Sequence, residues 1–308
     1  MTTLLLTHRD CVAHDTGPGH PERSERLLAV LKALEAPEFA ALARVEAPLA
    51  DLAVIHRAHA PTFVRDVLDA VPKDGYLGLD PDTVLSPGSG KAALRAAGAL
   101  VAAVDAVMAG RAENAFCAVR PPGHHATFDR AMGFCLFDNV AIGALHALEA
   151  HGLARAAVVD FDVHHGNGTQ DVAEREPRLF FASTHQFPAY PGTGRASEHG
   201  QGNVVNAPLA PGSGGPEFRR AFSETVIPAL EAFRPEFVFI SAGFDAHRRD
   251  PLADLALMED DFAWATHAIL RVAAATANGR VVSTLEGGYD LAALADSAAA
   301  HVRALMGA

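Results

Sequence analysis

The chain has 308 residues, 49% apolar and 20% charged, which is enough to bury a sizeable core and too apolar for disorder. Lys and Arg number 25 against 37 Asp and Glu, and the net charge of −12 argues against a nucleic-acid binder and suits a cationic substrate. Cys11, Cys117 and Cys135 include no CxxC pair, so a reducing compartment is expected rather than a disulfide framework. The apolar run in MTTLLLTHRD is too short for a signal peptide. The Ala-rich stretch 92–108 carries Arg95 and Asp105 and is no membrane span. A cytoplasmic protein is expected, with no membrane or nucleic-acid partner.

Residues 4–6 read as the first strand. After Pro21, Leu27, Leu28, Leu31 and Leu34 form one helical stripe. Leu94, Ala97, Val101, Val104 and Met108 follow a 3-4-3-4 spacing and predict a second helix. A strand is expected at 115–119, then a helix N-capped by Asp138 and running through Val140, Ala144 and Leu148. Strands follow at 156–159 and 179–182. One helix runs from Pro216, a favoured first-turn proline, through Phe218, Phe222, Val226 and Phe233. The remainder reads as a strand at 237–241, a helix at 260–275, a strand at 280–285 and a helix at Leu291–Leu305. Nearly continuous apolar strands alternating with helices predict a three-layer α/β/α fold with a mainly parallel sheet. With no repeat, charge block or low-complexity linker, residues 1–308 are expected to form one domain.

The polar residues gather just after four of these strands. Arg120-Pro-Pro-Gly-His124-His125 follows the strand at 115–119. Asp160-Phe-Asp162-Val-His164-His165-Gly-Asn167 follows 156–159. Ala-Gly-Phe-Asp245-Ala-His247 follows 237–241, and Glu286-Gly-Gly-Tyr289 follows 280–285. Ligands of open parallel sheets bind outside the carboxyl ends of strands, so these segments are expected to converge. Asp162 and His164 are two apart and share a face of an extended segment. With Asp245 as a third ligand they leave a position open, as catalytic metal sites do. An oxygen-rich Asp/His/Asp set suits Zn²⁺, with Fe²⁺ or Mn²⁺ also compatible. His124 and His125 suit general acid–base work, and Tyr289 can donate to an oxyanion. Any one of these residues alone reads more simply as a core, surface or turn residue. The convergence of four strand ends carries the argument.

Other signatures are incomplete. Gly88-Ser-Gly-Lys91 lacks the upstream Gly of a phosphate loop and has Ala92 in place of Ser or Thr. Gly192-Thr-Gly194 lacks the third Gly of a dinucleotide fingerprint, and no G-x-S-x-G occurs.

The segments Arg120-Pro-Pro-Gly-His-His-Ala, Gly133-Phe-Cys, Asp160-Phe-Asp-Val-His-His-Gly-Asn-Gly-Thr-Gln, Ser241-Ala-Gly-Phe-Asp and Leu285-Glu-Gly-Gly-Tyr resemble the zinc-dependent histone deacetylase family. That family belongs to the arginase/deacetylase superfamily, and the chain looks most similar to its class II-like bacterial amidohydrolases. The resemblance spans nearly the whole chain in the family's order. It implies an arginase-like fold and hydrolysis of an N-acetyl amide to amine and acetate. Asp162, His164 and Asp245 would bind Zn²⁺. His125 would activate water with the metal and later protonate the leaving amine. His124 would be held by Asp160 and support it electrostatically, and Tyr289 would hydrogen-bond the carbonyl oxygen. Gly133, Phe134 and Tyr190 would line a narrow channel, with Arg26 near the acetate end. A structural K⁺ is implied near Asp160 and Ser183.

Three positions depart from the family's other branches. Asn167 stands where the class I branch has an Asp behind the second histidine, so His125 is expected to be a weaker base that rests neutral. Tyr190 fills a channel position often held by Phe. Leu252 stands where a polyamine-selective branch carries an acidic gatekeeper, although Asp80 and Asp82 remain available to a cation. The leading expectation is deacetylation of acetyl-lysine in proteins or peptides. The second is an amidohydrolase for acetylpolyamines or other small acetylated amines. A ureohydrolase would want a second Asp in the Asp245 loop, which Ala246-His247 breaks. A silent acetyl-lysine binder would not need Tyr289 with His124 and His125.

Overall fold

The computed structural model describes residues 2–307. Its strands are β1 (Thr3–Thr7), β2 (Ala43–Glu46), β3 (Leu77–Gly78), β4 (Val84–Leu85), β5 (Asn114–Cys117), β6 (Ala156–Asp160), β7 (Leu179–Gln186), β8 (Val204–Leu209), β9 (Phe237–Ala242) and β10 (Val281–Leu285). Its helices are α1 (Ser24–Ala33), α2 (Leu52–Ile55), α3 (Pro61–Asp69), α4 (Ser89–Met108), α5 (Asn139–Ala150), α6 (Asn167–Arg175), α7 (Gly215–Ala221), α8 (Ile227–Phe233), α9 (Glu259–Thr276) and α10 (Leu291–Leu305). Among the described residues no helix is long and apolar enough to cross a membrane.

Eight strands form one parallel sheet in the order β2-β1-β5-β10-β9-β6-β7-β8, and β3 and β4 pair separately. Helices cover both faces. Phe239 on β9 faces Gly143 of α5, and its register partner on β10 is Val282. The next residue, Ser283, points the other way and hydrogen-bonds His301 of α10. The helices α4 and α5 therefore pack on one face, and α10, with α1 and α9 against it, covers the other. This is the three-layer α/β/α architecture that the strand–helix alternation predicts.

The six strands expected from apolar runs all form, with ends shifted by a few residues. Two strands of the large sheet, β2 and β8, carry no such run, and they are its two edges. β2 (Ala43-Arg-Val-Glu46) is largely solvent-facing, and β8 includes Asn206 and Pro208. Edge strands lack a neighbour on one side, so continuous apolarity is not required of them. The helix expected through Phe233 is interrupted by a π-turn at Phe222–Val226 between α7 and α8. Pro228 lacks an N–H and its ring cannot sit over the preceding turn, which the wider turn accommodates. α3 and α6 were not anticipated by the apolar spacing. α6 begins at Asn167, directly after the polar His165-Gly166 pair, and is amphipathic over only nine residues.

Asp138 caps α5 as expected, accepting from Ala141 N–H, and its other oxygen accepts from Thr169 Oγ1 on α6. Its own N–H donates to His59 Nε2. One buried carboxylate thus ties the starts of two helices beneath the polar loops. Asp138→Ala strips two buried donors of their acceptor and is expected to cost about 2–3 kcal/mol, read from the midpoint of urea unfolding at unchanged m-value.

Candidate active site

The four polar segments follow β5, β10, β9 and β6, which are adjacent in the sheet. Their convergence is therefore a consequence of strand order. Parallel register places all four carboxyl ends at one edge.

Asp162, His164 and Asp245 come together there. His164 Nδ1 lies 3.2 Å from Asp162 Oδ1 and 3.1 Å from Asp245 Oδ2. The backbone restrains both carboxylates. Asp162 accepts from the N–H groups of His164 and Gly287, and Asp245 Oδ1 accepts from Val163 N–H. Both carboxylates are fully buried. Burial opposes charge on the His164 imidazole, yet hydrogen bonds to Asp162 and Asp245 hold its pKa up, at about 10. Two buried carboxylates facing one imidazole nitrogen demand positive charge between them. With one donor atom from each residue within 4.8 Å of the others, the set fits a divalent ion with oxygen and nitrogen preference. The backbone comes close enough to wall the set. A Cβ on Gly287 would lie 2.1 Å from Asp245 Oδ2, so only glycine fits.

The two histidines differ in charge. His124 Nδ1 lies 2.9 Å from Asp160 Oδ2, and its Nε2 faces Asp162 Oδ1 at 3.9 Å. Burial opposes its charge, but Asp160 and Asp162 raise its pKa well above the ordinary imidazole value. His125 goes the other way. Burial first, then the charges of His124 and His164, push its pKa well below the ordinary value. His125 Nδ1 lies 2.8 Å from Asn167 Oδ1, while Asn167 Nδ2 donates to His125 O. The amide orientation makes Asn167 Oδ1 an acceptor, so the His125 proton sits on Nδ1 and Nε2 keeps a lone pair. Their ring centroids are 4.0 Å apart, and one is built to be charged and the other neutral.

Tyr289 is held by both flanks of its loop. Arg26, fully buried, donates to the carbonyls of Glu286 and Gly288 and places its guanidinium 4.8 Å from the Tyr289 ring centroid. Burial keeps the phenol well above its ordinary pKa, against the pull of Arg26, so it stays a hydrogen-bond donor. Arg26 is itself anchored by Glu22, which also pairs with Arg120 and lies 3.5 Å from His14. Arg26 supports Tyr289 from behind and is not among the residues lining the cavity.

A cavity of about 220 Å³ is lined by His124, His125, His164, Tyr289, Gly133, Phe134, Tyr190, Leu252, Asp82, Pro122 and Gly287. The channel residues expected from the sequence are therefore brought to one space with the histidines. Phe134 packs edge-on to Tyr289 at 5.8 Å, and Tyr190 edge-on to His125 at 5.2 Å. Gly133 has φ +57° and a Cβ there would lie 2.4 Å from the His125 ring. Gly133 is thus obligatory where the turn passes His125. Leu252 and Tyr190 are partly exposed on this wall. Asp160 and Ser183 are register partners on β6 and β7, both fully buried, and Ser183 Oγ bonds His185 Nδ1. Neither lines the cavity.

Sequence reading passed over Glu22, Arg120, Asp250 and Glu286 as site residues, although each is buried around this edge. Glu286 accepts from the N–H groups of Gly123 and His124, and Asp250 accepts from Tyr289 N–H. For Arg120 and Glu286 the available signal was a charged residue inside an apolar or glycine-rich stretch, whereas Glu22 and Asp250 sit among other charged residues and give no such signal. Besides the local partners Arg26 of Glu22 and Leu252 of Asp250, the pairings Glu22–Arg120, Asp250–Tyr289 and Glu286–Gly123 span 98, 39 and 163 residues, beyond any local pattern.

Two other features need a physical account. A larger cavity, about 700 Å³, opens beside Asn114 and Arg280, at the start of β5 and just before β10, where no set of donors converges among the described residues. Asp105, His146 and His151 also cluster, with Asp105 Oδ1 2.7 and 2.8 Å from the two Nε2 atoms. Arg57 Nη1 donates to His146 Nδ1, which puts the His146 proton on Nε2, aimed at Asp105. Hydrogen bonding satisfies that cluster without an ion.

Residues 20–305 match the family model described as the histone deacetylase domain. An uncharacterized protein of Synechocystis sp. is 41% identical, over 98% of this chain and 99% of its own length. The rice protein named histone deacetylase 10, chloroplastic, is 39% identical, over 94% of this chain and 70% of its own. A Pseudomonas aeruginosa protein named histone deacetylase-like amidohydrolase is 42% identical, over 78% of this chain and 63% of its own. Among solved structures, the HDA15 HD domain superposes with a TM-score of 0.92 at 34% identity, covering 99% of this chain and 88% of that one. With its arginase/deacetylase-like fold and a match over nearly its full length, this chain is a member of the histone deacetylase family of deacetylases and amidohydrolases.

Proposed function

We propose that the protein hydrolyses N-acetyl amides, with acetyl-lysine of proteins or peptides as substrate and lysine and acetate as products. The observation that carries this reading is a neutral, oriented His125 beside the Asp162–His164–Asp245 set in a cavity that also holds the Tyr289 phenol. A divalent ion on those three residues, Zn²⁺ in our reading with Fe²⁺ also suited to the set, would supply Lewis acidity toward the amide carbonyl and toward water. His125 Nε2 takes a proton from the attacking water and later delivers one to the amine nitrogen as the C–N bond breaks. His124, kept charged by Asp160 and Asp162, adds positive charge beside the developing oxyanion. Tyr289 O–H donates to the carbonyl oxygen as it becomes tetrahedral. Gly133, Phe134, Tyr190 and Leu252 wall the acyl-amine arm. The structural K⁺ belongs, in this reading, beside Asp160 and Ser183. The protein works as a soluble cytoplasmic enzyme with no nucleic-acid or membrane partner.

A second reading, hydrolysis of acetylpolyamines or other small acetylated amines, draws on Asp82. Its carboxylate lines the same cavity and would meet a cationic amine. Leu252, apolar and on the cavity wall, favours the peptide instead. The presence of Tyr289 with both histidines argues against a silent binder.

Side-by-side kcat/KM on an acetyl-lysine peptide and an acetylpolyamine is expected to favour the peptide with the zinc-loaded protein. A polyamine preference would move the function to small-molecule metabolism. Tyr289→Phe is expected to lower kcat by roughly 10²–10³-fold with metal content unchanged, read by steady-state kinetics and metal analysis. Unaltered turnover would remove Tyr289 from the oxyanion. Asn167→Asp places a carboxylate at His125 Nδ1 and favours its charged form. The acidic limb of the kcat/KM profile should then move up by about one pH unit, because the base stays protonated to higher pH.

A further inference from the structure

Tyr289 follows two glycines, Gly287 and Gly288, and Gly288 has φ +121°. A Gly-Gly lead gives the backbone wide freedom, so the aim of the phenol depends on what fixes Tyr289's own peptide. Arg26 holds the carbonyls on the preceding side. On the other side the Tyr289 N–H donates to Asp250 Oδ2 at 2.7 Å. The second oxygen of the same carboxylate, Oδ1, accepts from Leu252 N–H at 3.0 Å. Asp250 is 9% exposed and makes no salt bridge among the described residues. Its own N–H donates to His247 O, which closes the turn following Asp245. One nearly buried carboxylate therefore bridges the oxyanion-donor loop after β10 and the cavity-wall loop after β9. Both Tyr289 and Leu252 line the cavity.

We propose that Asp250 is a positioning residue: it sets the aim of the Tyr289 phenol and couples that aim to the cavity wall at Leu252. The turnover arm of this proposal rests on the reading of Tyr289 as carbonyl donor. The structural arm does not. Asp250 touches no reacting atom, and it acts by fixing a backbone N–H that the glycines leave free. Substrate packing against Leu252 is transmitted through the carboxylate to the loop that carries the phenol.

The test uses the full chain loaded with zinc and labelled with 3-fluorotyrosine. Its three tyrosines, Tyr76, Tyr190 and Tyr289, give three ¹⁹F resonances, and Tyr289→Phe identifies one by its disappearance. Asp250→Asn is isosteric but presents an NH₂ to one of the two N–H donors. It is expected to shift or broaden the Tyr289 resonance and leave that of Tyr76 in place. Leu252→Pro, at a partly exposed site, leaves the Asp250 carboxylate in place and removes the N–H that Oδ1 accepts, together with the Leu side chain and the φ freedom of residue 252. It should move the same Tyr289 resonance by a smaller amount, and it keeps the test standing if Asp250→Asn does not fold. A Tyr289 resonance unmoved in both variants overturns the proposal. In turnover, Asp250→Asn should lower kcat roughly 10- to 100-fold with KM changed far less, as expected of a displaced catalytic group. In the Tyr289→Phe background the same change should cost less than about 3-fold, because its target is gone. Equal losses in both backgrounds would make Asp250 merely structural and overturn the proposal. A wild-type protein inactive on every acetyl amide would sink the reading of Tyr289 as carbonyl donor, while the resonances would still decide the positioning role.

Discussion

Two buried carboxylates facing one imidazole nitrogen form the constraint on which the rest of this structure depends. Asp162 and Asp245 are fully buried, and negative charges so placed are tolerated only with hydrogen bonds and a compensating cation. The chain meets the first requirement with backbone N–H groups from His164, Gly287 and Val163. Those donors come from two separate loops, so the loops after β6, β9 and β10 must be packed together before the carboxylates can be held. The glycine at 287 follows from the same closeness, since a side chain would collide with the Asp245 oxygen.

Around that centre the same kind of group is given opposite states by its surroundings. His124 lies between the carboxylates of Asp160 and Asp162 and is held charged. His125, the next residue, faces an amide at Asn167 and two charged imidazoles, and is held neutral. The two rings lie side by side in the turn after β5, with centroids 4.0 Å apart, yet each Nδ1 faces a different partner, a carboxylate for His124 and an amide for His125. The result is a charged group and a free lone pair in one small cavity, the division of labour that acid–base chemistry on an amide needs.

Support for the site extends well behind the lining. Arg26, Glu22, Arg120 and His14 form a buried polar network on the far side of Tyr289. Glu286 holds the His124 turn, and Asp250 holds the Tyr289 peptide. Long-range bonds of this sort fix the geometry of loops that glycine would otherwise leave loose.

The sequence by itself determined the parallel α/β/α class, the six apolar strands, the Asp138 cap and the residues gathered at four strand ends. Each is written in local pattern: continuous apolar runs, helical stripes, a cap before a stripe, histidines and carboxylates two apart. It did not reveal β2 and β8, because an edge strand need not be apolar, or the π-turn at Phe222–Val226. It also did not reveal the supporting carboxylates. Glu22, Asp250 and Glu286 are charged residues whose long-range partners, Arg120, Tyr289 and Gly123, are brought to them by strand order, and one-dimensional spacing carries no trace of that order. Tertiary structure alone decided that β5, β10, β9 and β6 are neighbours, and hence that four distant segments share one cavity. It also supplied the surroundings that charge His124 and neutralise His125: burial, the Asp160 carboxylate and Asn167 amide 36 and 42 residues away, and the charge of His124 on its neighbour, where the sequence alone offered only the expectation of a neutral His125 from Asn167.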